Sequence, residues 1–169
     1  IIKKISKKEK IEGFDITSKM IIIYGIAVTM SHLRSHNIIH PDLADFGLSI
    51  KLDGENFIDN KYSGTPPYMA PEIWSSFVYN KASDAYAFGI LVYEIVTLEI
   101  PFYGLNNNQV SYSVVSKKNR PKFNESIPKH YKELIKKCWS HDPNDRPTFD
   151  NILTKLETDP RFTADIDKQ

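Results

Sequence analysis

Lys81-Ala82-Ser83-Asp84-Ala85-Tyr86-Ala87-Phe88-Gly89-Ile90-Leu91-Val92-Tyr93-Glu94-Ile95-Val96-Thr97 is the stretch that decides the fold. Its apolar residues occur nearly all round a helical wheel, so a helix over 81–97 should be buried on most sides. It is expected to be the central pillar, with Phe88, Leu91, Val92 and Ile95 in the core and Trp139 packed nearby. Asp84 near its start and Glu94 near its end interrupt the apolar run, which argues against a membrane span.

Downstream, Tyr131, Leu134, Ile135, Cys138 and Trp139 follow i, i+3, i+4, i+7, i+8 spacing, with Pro128 suited to the first turn. Phe149, Ile152, Leu153 and Leu156 repeat that template after Pro147 and a capping candidate, Thr148. Cys138 lies on the apolar stripe and reads as a small core residue rather than a nucleophile. Upstream, Ile23, Ile26, Ala27, Met30 and Leu33 give a helix from Asp15 to about Asn37, with Asp15 or Thr17 as its cap. His32, His36 and His40 are spaced four apart, a pattern that could gather imidazoles round a metal, but no acidic residue lies in that stretch. Residues 48–71 read as one long loop punctuated by Gly54, Gly64, Pro66, Pro67 and Pro71. Convincing alternating strands and internal repeats are absent, so the expected domain is mainly helical.

Composition sets the outer bounds. A chain of 169 residues holds one domain, and 41% hydrophobic with 25% charged residues is ordinary globular usage. Lysine and arginine total 22 against 21 acidic residues, a net charge of +1. That balance predicts neither a nucleic-acid nor a membrane partner, since both usually need a strong positive field. No stretch long enough to span a bilayer is both apolar and free of charge. One cysteine excludes a disulfide framework and suits a reducing, cytoplasmic setting. Residues 1–14 carry five lysines and read as a solvated face or frayed end. Ile1-Ile2-Lys3-Lys4 has neither an initiator methionine nor a signal pattern, so the sequence reads as cropped at its start.

Three segments carry a resemblance. Ala44-Asp45-Phe46-Gly47-Leu48 is the first. Gly64-Thr65-Pro66-Pro67-Tyr68-Met69-Ala70-Pro71-Glu72 is the second, and Cys138-Trp139-Ser140-His141-Asp142-Pro143-Asn144-Asp145-Arg146-Pro147-Thr148-Phe149 the third. Together, and in this order, they resemble the D-F-G segment, the end of the activation loop and the link between the last large helices of a protein kinase. The Gly-Thr-Pro-x-Tyr pattern looks like the Ser/Thr type, whereas the Cys-Trp segment looks tyrosine-kinase-like. The likeness runs from about residue 15 to 157, within a kinase-like C-lobe domain spanning 1–159 and a tail over 160–169. The implied fold is the α+β protein-kinase fold, here mainly its α-helical C-lobe.

The resemblance implies ATP-dependent phosphorylation of protein Ser or Thr, with a protein substrate or partner. Asp45 would hold magnesium against the ATP phosphates, making it the cofactor and metal residue. Thr65 would lie near the substrate hydroxyl. Glu72 and Arg146 would form a buried structural ion pair, and Asp84 would brace the catalytic loop from beneath. Ser49, Tyr62, Ser63 and Thr65 are hydroxyls open to regulatory phosphorylation.

The departures matter as much. Only Gly13 and Gly25 precede Gly47, and neither a Gly-rich loop nor a Val-Ala-Ile-Lys pattern occurs, so the N-lobe is expected to be missing. His40 should open an H-R-D-L-x-x-x-x-N catalytic loop, but Pro41-Asp42-Leu43 follows and then the D-F-G segment. Taking Asp42 as the catalytic base places its partner asparagine at Gly47, which is already the D-F-G glycine. Alternatively, Pro41-Asp42-Leu43 is the strand before D-F-G, with everything after His40 excised; this register is preferred. From His40 to Asp45 the chain reaches at most about 17 Å, too little for a loop and hairpin. The expected product is a truncated, inactive kinase domain; the alternative is a pseudokinase-type binding or scaffold module.

Overall fold

The computed structural model describes residues 14–40, 49–59 and 63–166. Asp42, Asp45 and the rest of the D-F-G segment, Tyr62 and the basic stretch before Phe14 lie outside the described residues.

Helix α1 (Ile16–Ser35) leads to two short antiparallel strands, β1 (Ile38–Ile39) and β2 (Ile50–Lys51), paired Ile38 to Lys51 and Ile39 to Ile50. Strand β3 (Asn56–Ile58), a 3-10 turn (Pro66–Tyr68), α2 (Pro71–Ser76) and β4 (Val78–Asn80) follow. β3 and β4 pair antiparallel, Phe57 opposite Tyr79. Then come α3 (Lys81–Thr97), α4 (Asn107–Val115), α5 (Lys129–Cys138), a 3-10 turn (Pro143–Asp145), α6 (Phe149–Thr158) and α7 (Pro160–Ile166).

The centre is α3. Asn80 accepts from the Ser83 N–H (2.9 Å) while the Asn80 N–H donates to Ser83 Oγ (2.8 Å), a reciprocal cap that satisfies two helix-end donors. Phe88 and Val92 are fully buried, but Leu91 and Ile95 are only partly so, which corrects the expectation for them. They share an i, i+4 stripe, whereas the face against α5 carries Gly89, Tyr93 and Val96. A methyl at Gly89 would come within 2.8 Å of Cys138 Cβ and 3.2 Å of the Trp139 nitrogen, so only glycine lets α3 and α5 approach this closely. Trp139 packs against Tyr93, ring centroids 5.9 Å apart. Cys138 is fully buried, and burial pushes its thiol up to about 12.

α1 lies across α3, α6 and α7 and buries Met20, Ile23, Ala27 and Met30. Asp15 is its cap, accepting from the Ser18 N–H at 2.8 Å, while the Thr17 hydroxyl donates to the Asp165 carbonyl on α7. At 20 residues, α1 meets the length and mean-hydropathy requirement of a membrane-crossing helix, although it carries Lys19 and Arg34. Its buried stripe gives the same composition a use in the core of the fold.

Two further differences concern local structure. Residues 48–71 are not one open loop: β2, β3 and the 3-10 turn stitch them to the body through β1 and β4. The expected tail over 160–169 includes α7, with Phe162 fully buried edge-on to His130 and Tyr131. The Asp165 carboxylate there meets His130 Nε2 at 3.1 Å.

Candidate functional site

Two ion pairs gather round the start of α3. At its start, Asp84 is 2% exposed, and a carboxylate so buried requires partners. Its Oδ2 accepts the His40 backbone N–H at 2.9 Å and pairs with the Arg34 guanidinium. Arg34 also donates through Nη1 to the Ile38 carbonyl, so one buried arginine ties the end of α1, strand β1 and the head of α3. Burial depresses its guanidinium to about 10, the direction desolvation imposes on a cation. Arg34 was not singled out from the sequence; the available signal was a charge closing an otherwise apolar helix.

The second pair joins α2 to the turn before α6. Glu72 and Arg146, 74 residues apart, meet in a two-pronged bridge, Nη1 to Oε1 at 2.7 Å and Nη2 to Oε2 at 2.8 Å. Arg146 donates further to the carbonyls of Ala82 (2.9 Å) and Ser140 (2.9 Å), which uses its fork fully. The Tyr86 ring lies between two guanidiniums, 5.3 Å from Arg146 and 5.0 Å from Arg120. Burial pushes the Tyr86 hydroxyl up to about 12.

Between these anchors runs the 63–70 segment. Gly64 takes a positive φ of 123°, a conformation open chiefly to glycine. Thr65 is half-buried and extended, and its carbonyl accepts the Tyr68 N–H at 3.0 Å. The Tyr68 hydroxyl donates to Glu94 on α3. The Tyr79 hydroxyl accepts from the Ser63 N–H (2.7 Å) and donates to the Ser63 carbonyl (3.0 Å), fixing the residue before Gly64. Of the candidate regulatory hydroxyls, Ser49 is exposed, and Ser63 is half-buried with its hydroxyl on Asp59 (2.9 Å).

Among the described residues no three His, Cys, Asp or Glu side chains gather as a metal site. His32 and His36 meet at a tilt of 54° at the exposed end of α1, 4.6 Å between centroids, while His40 is fully buried beside Asp84. The donor chemistry asked of magnesium is also incomplete. The resemblance assigns one carboxylate to Asp45, but no asparagine lies between His40 and Asp45 to act as its partner. The residues present therefore do not make the family's magnesium set. A cavity of about 810 Å³ crosses the start of α3, lined by Asn37, Asn56, Asn80 and Lys81 among others; Asp84, Thr65 and Glu72 are not in its wall.

The family model described as protein tyrosine and serine/threonine kinase matches residues 5–156. The chain belongs to the protein kinase family. Dual specificity protein kinase pyk3 of Dictyostelium discoideum is 36% identical over 154 residues, taking in 81% of this chain and 11% of the relative. Dual specificity protein kinase shkD of the same organism is 36% identical over 141 residues, 79% of this chain and 19% of the relative. Serine/threonine/tyrosine-protein kinase HT1 of Arabidopsis thaliana is 34% identical over 150 residues, 86% of this chain and 38% of the relative. The chain thus spans well under half the length of these relatives. The helical, strand-poor architecture is that of a kinase C-lobe.

Proposed function

We propose that this kinase domain does not transfer phosphoryl groups and serves as a protein-binding module built on the C-lobe scaffold. One observation carries the reading: only four residues separate His40 from Asp45, where the family needs a base, an asparagine and a strand pair.

The reaction shows why the shortening matters. Phosphoryl transfer is almost wholly positioning and charge neutralisation, and ATP with magnesium supplies the phosphoryl group and its counter-charge when bound. In this chain Asp84 and Arg34 hold the His40 backbone, and Gly64 with Tyr79 sets the segment where a Ser/Thr substrate would lie. Between them the base has no place: with Asp42 read as strand, no carboxylate remains to take the substrate hydroxyl proton. Ser/Thr preference, ATP binding and a cytoplasmic location remain readings from the motifs and the single cysteine.

The test is nucleotide binding. Titrating ATP with magnesium into the chain, followed by calorimetry and by the thermal midpoint, should give no saturable binding in the micromolar range. Saturable micromolar binding abolished by Asp45→Asn would oppose the proposal.

A further inference from the structure

We infer that the cleft between α5 and α6 is a docking site for an acidic peptide carrying one aliphatic side chain, a use independent of phosphoryl transfer. The cleft is a small cavity of about 240 Å³, walled by Leu134, Ile152 and Pro147, with Lys137, Lys155 and Asn151 at its rim. Leu134 and Ile152 are themselves buried, so the cavity floor is formed by the packed core. Its volume suits one side chain rather than a drug-sized ligand, which needs roughly 300 Å³ or more.

Charge supplies the second half of the argument. The chain as a whole is nearly neutral at +1, yet Lys137 of α5 and Lys155 of α6 both line this one cleft. Glu133, the acidic residue on α5, is engaged by Arg161 at 3.0 Å and Lys129 at 3.9 Å. Arg146 also lines the cavity, but Glu72 neutralises it. Asp145 lines it as well, so the peptide's carboxylates belong on the Lys137 and Lys155 side. Apolar floor and basic rim together select carboxylates flanking an aliphatic residue, where charge steers and the buried side chain specifies.

A protein segment is favoured over a nucleic acid or a membrane because the two lysines flank a pocket sized for one side chain and the chain carries only +1 overall. The probe is a fluorescein-labelled pentapeptide with leucine between paired glutamates, read by anisotropy against the intact chain at about 50 mM salt. Saturable binding is expected, weakened at least about tenfold when the leucine is replaced by serine, as loss of one buried aliphatic side chain implies. The double variant Lys137→Glu with Lys155→Glu, both on the cleft rim, should weaken binding similarly while keeping the wild-type melt. Equal binding of the leucine and serine peptides would overturn the proposal. So would tighter binding to phosphatidylserine vesicles or duplex DNA than to the peptide. The peptide substitution decides the matter even if the double variant melts early, and neither outcome depends on whether ATP binds.

Discussion

The two sides of His40 obey different constraints. From Lys81 to Leu156 the chain closes a core tied to the rest of the lobe by two ion pairs, Glu72 with Arg146 and Asp84 with Arg34. On the proposed reading, the stretch from His40 to Asp45 lacks the family's residues that do chemistry, while the His40 N–H still rests on Asp84. Scaffold and catalytic loop are therefore separable: the first is fixed by burial and ion pairing across the lobe, the second by a short run of local sequence. On that reading the lobe tolerates a shortened loop because the described core helices all lie outside residues 41–48.

That contrast can be broken most forcefully at the scaffold. Arg146→Ala leaves Glu72 without its cation and three carbonyls without their donor, and should cost about 3–5 kcal/mol in urea unfolding. Phe88→Ala, which empties a fully buried site against Phe149, should cost a similar ~3–5 kcal/mol. If either variant unfolds within about 0.5 kcal/mol of wild type, the lobe is not the cooperative unit described. Gly89→Ala should cost about 1–3 kcal/mol by forcing α3 and α5 apart, although alanine favours helix. Asn80→Ala, removing one half of the reciprocal cap, should cost about 1 kcal/mol.

A smaller effect comes from alkali. Cys138 and Tyr86 are both held protonated by burial, to about 12, against 9.0 and 10.0 for the free groups. Because the folded values lie above the unfolded ones, the stability tied to these protons is complete below about pH 9 and falls as pH rises towards 12. The midpoint of urea unfolding should therefore decline above pH 9, less steeply in Cys138→Ala, and Cys138 should resist thiol reagents until the chain unfolds. Fast labelling of the native chain at pH 8 would place Cys138 outside the core.

Much of the scaffold was legible because helices α1, α3, α5 and α6 repeat apolar residues at helical spacing. Leu91 and Ile95 misled, since composition alone does not say which stripe of a nearly apolar helix meets a neighbour. α4 escaped notice because only Val110 and Val114 of its residues are buried; its signal was the reciprocal cap of Asn106 and Gln109. α7 was hidden in an expected tail, with Pro160 at its first position as the overlooked mark. The strands of two or three residues are too short for alternation to register. Motifs named Glu72, Arg146 and Asp84, but Arg34 and Tyr79 act through tertiary contacts that sequence spacing does not encode.

Phosphotransfer measures the central claim most directly. The chain, incubated with radiolabelled ATP, magnesium and a general protein substrate, is predicted to incorporate no phosphate above a protein-free control, with no change in Asp42→Asn or Asp45→Asn. Incorporation that survives repurification and disappears in either variant would contradict the account and show that the four-residue interval still assembles an active site.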